Sequence, residues 1–260
     1  MSNTAVVLCT YHRTMEGGGL ENILKFQKEN IPNFSLLFDN QKGLSIDDVK
    51  STYNGVDICP YDDSDFKKYG FDKPISTFHF WGAHQNPKYF YAHFRMLTYY
   101  IKNPNFDHYW FFDDDVQFDK NLKGFLELYN DVKEDFLAII VFKKEDYKEF
   151  PKVNLINDRM LGSKGYWLGH CPGDGDKFKS KDRHMGSFFP VVRLSNKAMK
   201  HLLEVHQQGF YGYSEGFVPT TLASDGFSVA SMQDEFNKYF EKTNDCILNH
   251  KGGPLTWEWL

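Results

Sequence analysis

Hydrophobic and polar positions along the first half of the chain alternate between strand-like and helix-like spacing. Short apolar runs bounded by polar or turn residues are typical of buried strands, and three occur at residues 5–11, 34–38 and 56–59. Between them, residues 20–30 carry apolar positions at helical spacing, and residues 46–53 form a second candidate helix. Strand, helix, strand, helix, strand over this distance predicts a parallel sheet with right-handed crossovers.

The second half of the chain continues the alternation. A helix is predicted over residues 89–101, opened by Pro87, and another over residues 122–129. Ser45 and Ser195 are predicted N-caps, the latter for a helix that ends near His206. Further strands are predicted at residues 108–112, 116–118, 136–142, 187–194 and 246–248.

The most informative stretch is HYWFFDDDVQF at residues 108–118, where an aromatic strand is followed directly by Asp113, Asp114 and Asp115. Side chains alternate along extended backbone, so Asp113 and Asp115 are expected on one face and Asp114 on the other. Adjacent carboxylates at the edge of a core repel one another, so a cation is expected beside them. A divalent metal that also takes diphosphate oxygens fits this pattern; the alternative is a solvated acidic turn.

Polar residues also end the neighbouring strands. Thr10 and His12 follow the first strand, and Asp39 follows the second. In open parallel sheets ligands bind beyond the carboxyl ends of the strands, so these residues and the acidic cluster are expected at one rim. Arg95, on the helix that leads to the acidic strand, either points back at this rim or is an ordinary salt-bridged surface residue.

Bulk properties exclude several classes of protein. The chain has 260 residues and a net charge of -5, which argues against a general nucleic-acid binder. Its four cysteines lie far apart without CxxC spacing, so reduced thiols are expected rather than disulfides or a zinc knuckle. The sequence contains neither an apolar run of transmembrane length nor a secretory signal pattern, which favours a cytoplasmic protein.

Taken together, these features resemble the GT-A glycosyltransferases. An N-terminal strand, an alternating α/β half and a hydrophobic strand ending in DDD occur in the same order. FFPVVRLSNKAMKHLL is similar to the strand and helix behind the acceptor pocket in that family. YSEGFVPTTL looks like the segment that often supplies a catalytic carboxylate, and LNHKGG resembles the region of a late metal-binding histidine.

The resemblance implies an α/β fold, a single GT-A-like domain with a mostly parallel central sheet flanked by helices. Residues 1–118 would form the nucleotide-sugar-binding half and residues 119–260 the acceptor-binding half. The implied metal is Mn²⁺ or Mg²⁺, held by Asp113, Asp115 and His250; the alternative for His250 is a surface residue. The residues implied to border the nucleotide are Thr10, His12, Asp39, Arg95, Asp113 and Asp114.

For catalysis, the resemblance implies that Glu215 is the general base that deprotonates the acceptor hydroxyl if the enzyme inverts. The alternative is a carboxylate at a helix N-terminus with Ser214 as the cap. Asp225 is a second candidate base, with Asp234 and Glu235 behind it. In glycosidases the two catalytic carboxylates usually come from different secondary-structure elements and lie on either side of the sugar. Three adjacent aspartates cannot do this, so they favour transfer over hydrolysis.

The expected activity is therefore transfer of a sugar from a nucleotide sugar to a hydroxyl of a glycan or lipid-linked glycan, in surface polysaccharide synthesis. Family habit places such an enzyme in the cytoplasm or at the inner face of the membrane, where peripheral contact is compatible with the sequence. A metal-dependent phosphoryl hydrolase or nucleotidyltransferase could use the same aspartates. A carbohydrate-binding protein with a structural ion is a third class. Residues 161–184 are expected to form a mobile loop.

Overall fold

Ten strands and seven helices make up the part of the chain that the computed structural model describes. The described residues are 3–11, 18–53, 55–73, 91–114, 116–118, 122–143, 185–232, 248–250 and 253–254. The strands, in chain order, are β1 (Thr4–Tyr11), β2 (Phe34–Asp39), β3 (Asp57–Tyr61), β4 (His108–Asp113), β5 (Val116–Phe118), β6 (Phe136–Lys143), β7 (Met185–Ser195), β8 (Val229–Ser231), β9 (Leu248–His250) and β10 (Gly253–Pro254).

The helices lie between these strands along the chain. They are α1 (Gly18–Lys28), α2 (Ile46–Thr52), α3 (Asp63–Tyr69), α4 (Ala92–Lys102), α5 (Leu122–Leu128), α6 (Asn196–Gln207) and α7 (Ser214–Ser224). None of the described helices combines the length and the apolar character that crossing a bilayer requires.

Seven strands form one sheet in the order β3-β2-β1-β4-β7-β6-β8. The pairs β3–β2, β2–β1, β1–β4 and β6–β8 are parallel, whereas β7 is antiparallel to both β4 and β6. Six strands therefore run in one direction and only β7 runs against them. The predicted fold class, a mostly parallel sheet flanked by helices, is confirmed.

Helices cover both faces of this sheet. Val7 and Phe111 pack on one face with α3, α4, α6 and α7, and Leu8 and Phe112 pack on the other with α1, α2 and α5. This division follows from the strand period of two, because successive side chains point to opposite faces. Strands buried on both faces read as continuous apolar runs, which is why the sequence marked β1 and β4 so clearly.

The predicted caps agree with the structure. Ser45 accepts a hydrogen bond from the Asp48 amide at 3.4 Å, and Ser195 accepts one from the Ala198 amide at 3.2 Å. Several predicted boundaries shift by one to three residues; for example, β3 begins at Asp57 and continues to Tyr61, and α4 begins at Ala92 rather than at residue 89. β3 includes Pro60, which lacks an N–H, and it is an edge strand, where proline is tolerated.

A second, three-stranded sheet has the order β10-β9-β5. Its register pairs Val116 with His250 and Phe118 with Leu248 in antiparallel fashion. The C-terminal hairpin therefore lies directly beside the segment that follows the three aspartates. The prediction of a late strand is correct in kind, although the described strand covers Leu248–His250 rather than residues 246–248.

Candidate active site

An ion pair occupies the carboxyl end of β4. Arg95 on α4 donates from Nη2 to Asp113 Oδ1 at 2.5 Å, and its side chain is only 9% exposed. Arg95 thus points back to the rim, and it is salt-bridged there rather than on the surface. The protein itself therefore supplies part of the positive charge expected beside the aspartates.

Electrostatics around this pair follow from burial and from the paired charges. Burial acts to lower the pKa of Arg95, but the Asp113 carboxylate outweighs it, together with Cys9, Tyr61 and Asp114, so the pKa is raised. Arg95 therefore stays a cation. Burial raises the pKa of the neighbouring Cys9 thiol to about 12, with Arg95 opposing the shift, so this thiol stays protonated at neutral pH.

Two further predicted nucleotide contacts lie at the same ends of neighbouring strands. Asp39 is buried at the end of β2, where it pairs in register with Tyr11, and its Oδ2 accepts from Gln41 Nε2 at 3.1 Å. Thr10 lies in β1, and its Oγ1 is buried without a hydrogen-bond partner among the described residues. A buried hydroxyl without a partner costs free energy, so a ligand contact at Thr10 would offset a real deficit.

Parts of the implied metal site lie near one another along the backbone. Asp113 is the last residue of β4, Asp114 follows it, and the His250 backbone pairs in register with Val116, two positions after Asp114. Carboxylate oxygens and an imidazole nitrogen are suitable donors for a Mn²⁺ ion. Asp115 lies outside the described residues, as does the side chain of His250, and the described side chains alone form no group of three candidate ligands.

Glu215 lies in the first turn of α7 and is held by its neighbours. Tyr213 Oη donates to Glu215 Oε2 at 2.7 Å. Pro219 cannot donate to the carbonyl four residues before it, which is that of Glu215, and Ser187 Oγ donates to this carbonyl instead at 3.1 Å. The positive end of the helix dipole stabilises the ionised carboxylate.

The contact between Ser187 of β7 and the Glu215 backbone shows that Glu215 lies near the same end of the strands as Asp113. Because β7 is antiparallel to β4, with Val191 beside Phe112, the earlier residues of β7 lie beyond the carboxyl end of β4. Ser187, which binds the Glu215 backbone, is four residues earlier, or about 13 Å along the strand. Glu215 and the aspartates therefore border one rim, which we call the carboxyl edge.

The structure does not bring Asp225 to the carboxyl edge. Asp225 is the C-cap of α7, ten residues from Glu215, which is about 15 Å along the helix axis. Asp225 Oδ2 lies within hydrogen-bond distance of His201 Nε2, at 2.6 Å. Ser228, three residues later, binds Asp135 at the start of β6, at the opposite edge of the sheet. Asp225 is therefore left out of the proposed site.

Other predicted residues have different outcomes. His12, Asp234 and Glu235 lie outside the described residues, and so does the loop at 161–184. Ser214 is not a cap: the N-cap of α7 is Tyr213, without a side-chain cap hydrogen bond, and the Ser214 hydroxyl contacts His93 instead. The supporting residues His93, Tyr213 and Ser187 were not predicted. Pro219 could have indicated this. A proline inside a helix cannot donate to the carbonyl four residues earlier, so that carbonyl needs a donor from elsewhere, here Ser187.

Comparison with known proteins concerns the fold. No family model and no curated protein sequence matches the chain. Among solved structures, the mannosyltransferase Ktr4p from S. cerevisiae in complex with GDP matches with a TM-score of 0.50 and 11% identity, over 96% of this chain and 71% of that one. The galactosyltransferase LgtC with donor and acceptor sugar analogues matches with a TM-score of 0.47 and 15% identity, over 87% and 72%.

At such identities the likeness concerns the fold. The chain has the fold of GT-A glycosyltransferases, as its sequence resemblance implied.

Proposed function

We propose that this protein is a metal-dependent glycosyltransferase that moves a sugar from a nucleotide sugar to a hydroxyl of a glycan acceptor. The observation that supports it best is the meeting of Arg95, Asp113 and the His250 strand at the carboxyl edge of a glycosyltransferase fold. The mannosyltransferase with this fold was crystallised with GDP, which fits a nucleotide donor here.

On the donor side, Asp113, Asp115 and His250 would hold Mn²⁺ or Mg²⁺, and Asp114 would add negative charge nearby. The ion would supply positive charge to the leaving nucleoside diphosphate. Arg95 offsets part of the negative charge of Asp113 and fixes the direction of its carboxylate through a short contact. Thr10, His12 and Asp39 would border the ribose and the base, because β1 and β2 end beside β4 in the sheet.

On the acceptor side, Glu215 would act as the general base. Its carboxylate accepts the proton of the acceptor hydroxyl while that oxygen bonds to the anomeric carbon and the diphosphate leaves. A single displacement of this kind inverts the anomeric centre. The Tyr213 hydroxyl bond and the Ser187 bond to the Glu215 backbone restrict the orientation of the carboxylate, and orientation of this kind contributes to rate.

The finer assignments rest on family resemblance and extend the same proposal. The acceptor would be a glycan or a lipid-linked glycan, and the pathway class would be surface polysaccharide synthesis. A cytoplasmic location, at the inner face of the membrane, would supply nucleotide sugars and allow peripheral contact with a lipid-linked acceptor.

Turnover with a panel of nucleotide sugars, Mn²⁺ and glycan acceptors, analysed by mass spectrometry, tests the proposal. A glycoside product is expected, and Glu215→Gln is expected to lower its rate roughly 10² to 10⁴-fold while leaving nucleotide affinity unchanged. Asp225→Asn is the matched control, because Asp225 lies at the other end of the same helix. Free sugar or free phosphate without any glycoside would instead identify a hydrolase.

A further inference from the structure

A buried contact joins two helices of the candidate site. Ser214 Oγ lies 2.9 Å from His93 Nδ1 and accepts from the His93 backbone amide at 3.2 Å. Both residues are nearly inaccessible, at 3% for His93 and 2% for Ser214. Burial, and then the nearby His206, lowers the pKa of His93 to about 3, so the ring is neutral. This is a specific polar link between α4 and the first residue of α7.

Helix α4 reaches both sides of the site through residues two positions apart. At 3.6 residues per turn, His93 and Arg95 point about 200° apart around the helix. Arg95 binds Asp113 at the end of β4, and His93 binds Ser214 at the start of α7. One helix therefore contacts the donor side and the acceptor side from its opposite faces.

Ser214 is the covalent neighbour of Glu215, so its contact limits the movement of that backbone. The Glu215 carbonyl, left without a helical donor by Pro219, is bound by Ser187 of β7. The first turn of α7 is thus fixed to α4 by Ser214 and to the sheet by Ser187. The Ser187 bond restrains the distance between the first turn of α7 and the sheet, and the Ser214 contact restrains the distance between this turn and α4.

We infer that His93 and Ser214 are positioning residues that hold Glu215 in register with Asp113 through helix α4. The inference rests on the proposed function, in which Glu215 accepts a proton from the acceptor hydroxyl. Neither residue is placed in contact with substrate. Their role is to fix the separation between the proposed base and the carboxylate that binds the donor, since a displacement of about 1 Å can cost on the order of 10² in rate.

The primary test compares two serine variants. Ser214→Ala removes the link to His93, whereas Ser35→Ala removes an equally buried 2.8 Å contact to Tyr99, near the other end of the same helix. Ser214→Ala loses two contacts to His93 of α4 and Ser35→Ala loses one contact to Tyr99, so the loss of thermal stability is expected to be somewhat larger for Ser214→Ala. Ser214→Ala is expected to lower kcat about tenfold or more through misplacement of Glu215, with Kd for GDP or UDP plus Mn²⁺ unchanged. Ser35→Ala is expected to leave both unchanged.

A double-mutant cycle connects the effect to Glu215. In the Glu215→Gln background the base is absent, so Ser214→Ala should lower the rate by less than about twofold further. A general loosening of the fold would lower the rate by the same factor in both backgrounds.

Two variants of His93 separate the polar contact from packing. His93→Asn keeps a polar atom near the position of Nδ1 but leaves a cavity, whereas His93→Leu fills the space and removes the contact. If the link positions Glu215, kcat should be higher for the Asn variant even though it is the less stable one. A rate that follows stability, with Leu above Asn, would overturn the positioning role.

Failure of the proposed function and failure of the positioning role give different results. No glycosyl transfer by the unchanged protein with any donor would reject the proposed function and this role together. If the unchanged protein transfers sugar and Glu215→Gln does not slow the transfer, Glu215 is not the base, and the positioning role of His93 and Ser214 is rejected as well. Transfer that depends on Glu215, with Ser214→Ala and Ser35→Ala indistinguishable in kcat, would overturn the link alone.

Discussion

The two edges of the central sheet hold carboxylates in different ways. At the amino edge, Asp135 is 2% exposed and accepts four hydrogen bonds: from Ser195 Oγ at 2.8 Å, Lys197 Nζ at 3.0 Å, and the Ser228 amide and hydroxyl at 3.1 and 3.0 Å. At the carboxyl edge, Asp113 meets Arg95, whose Nε has no partner in the described part of the chain, and Thr10 Oγ1 nearby has none either.

This difference separates structural polar groups from groups suited to a ligand. A fully hydrogen-bonded buried carboxylate ties elements together, and Asp135 joins the start of β6, the start of α6 and the approach to β8. Burial acts to raise its pKa, but Lys197 and the serine donors outweigh burial, so the pKa is lowered and the group stays ionised. Incompletely paired polar groups are retained at a cost in stability, which is typical of functional sites.

The largest expected effect is an acid instability on the carboxyl-edge side. Burial lowers the pKa of His93 to about 3 and that of His206 to about 4, both from 6.5. The unfolded chain therefore binds protons that the folded one does not, and stability falls as pH drops below 6.5. Each histidine contributes a slope of about 1.4 kcal/mol per pH unit, down to its folded pKa. Urea unfolding between pH 7 and 4.5 measures the slope.

His206→Leu is the control for this titration. Leu can pack against Phe71 and Phe94, which contact His206, but it takes up no proton. The contribution of His206, about 1.4 kcal/mol per pH unit, should disappear from the slope in this variant. Asp135 does not contribute in this window, because a lowered carboxylate pKa matters only below its unfolded value. Equal stability at pH 7 and pH 5 would contradict the assignment of two neutral buried histidines.

The next effect concerns the amino edge alone. Asp135→Asn replaces an oxygen acceptor with an amide that cannot satisfy all four donors, and about 2 to 3 kcal/mol of unfolding free energy should be lost. Nucleotide affinity should be unchanged, since Asp135 lies at the far edge. Lys197→Met is the control: Lys197 is 70% exposed, so its loss should cost less than about 1 kcal/mol. Denaturant midpoints give both values, and equal losses for the two variants would refute this ranking of the donors.

The smallest effect distinguishes two buried threonines. Thr10→Val removes a hydroxyl without a described partner, so stability should be unchanged or higher by up to about 1 kcal/mol, while nucleotide affinity falls. Thr220→Val removes a hydroxyl that accepts from the Met185 amide at 2.9 Å, so stability should fall by about 1 kcal/mol. Changes in melting temperature of opposite sign for Thr10→Val and Thr220→Val would support the comparison. A loss of stability in Thr10→Val would contradict a ligand-directed hydroxyl.

Sequence patterns predicted the parts of the fold where one strong signal dominates. Strands β1 and β4 are continuous apolar runs, and the cap at Ser195 is a local chemical feature. Helix α3 was not predicted, although Asp62 and Asp65 form a capping box and Gly70 ends the helix with φ 73°. Helix α7 was predicted only within the alternative for Glu215, and Gly216 and Pro219 disfavour a helix that tertiary contacts nevertheless stabilise.

The site was predictable in the same uneven way. The rule for strand ends placed Asp39 and Asp113 at the ends of β2 and β4, where the structure has them, whereas for Arg95 the sequence left two alternatives open. What sequence spacing could not give is the pairing of distant residues, such as His93 with Ser214, 121 positions apart. It also could not separate Glu215 from Asp225, since that depends on the direction in which α7 crosses the sheet.

The central claim is that the carboxyl edge binds a nucleoside diphosphate through a divalent metal. Calorimetric titration of GDP and UDP, each with Mn²⁺ and with EDTA, tests it most directly, in the unchanged protein and in Asp113→Asn, with Asp135→Asn as the amino-edge control. We expect one nucleotide to bind with Mn²⁺, and EDTA and Asp113→Asn each to weaken it by about tenfold or more, equivalent to about 1.4 kcal/mol. Affinity that neither EDTA nor Asp113→Asn changes would contradict the account.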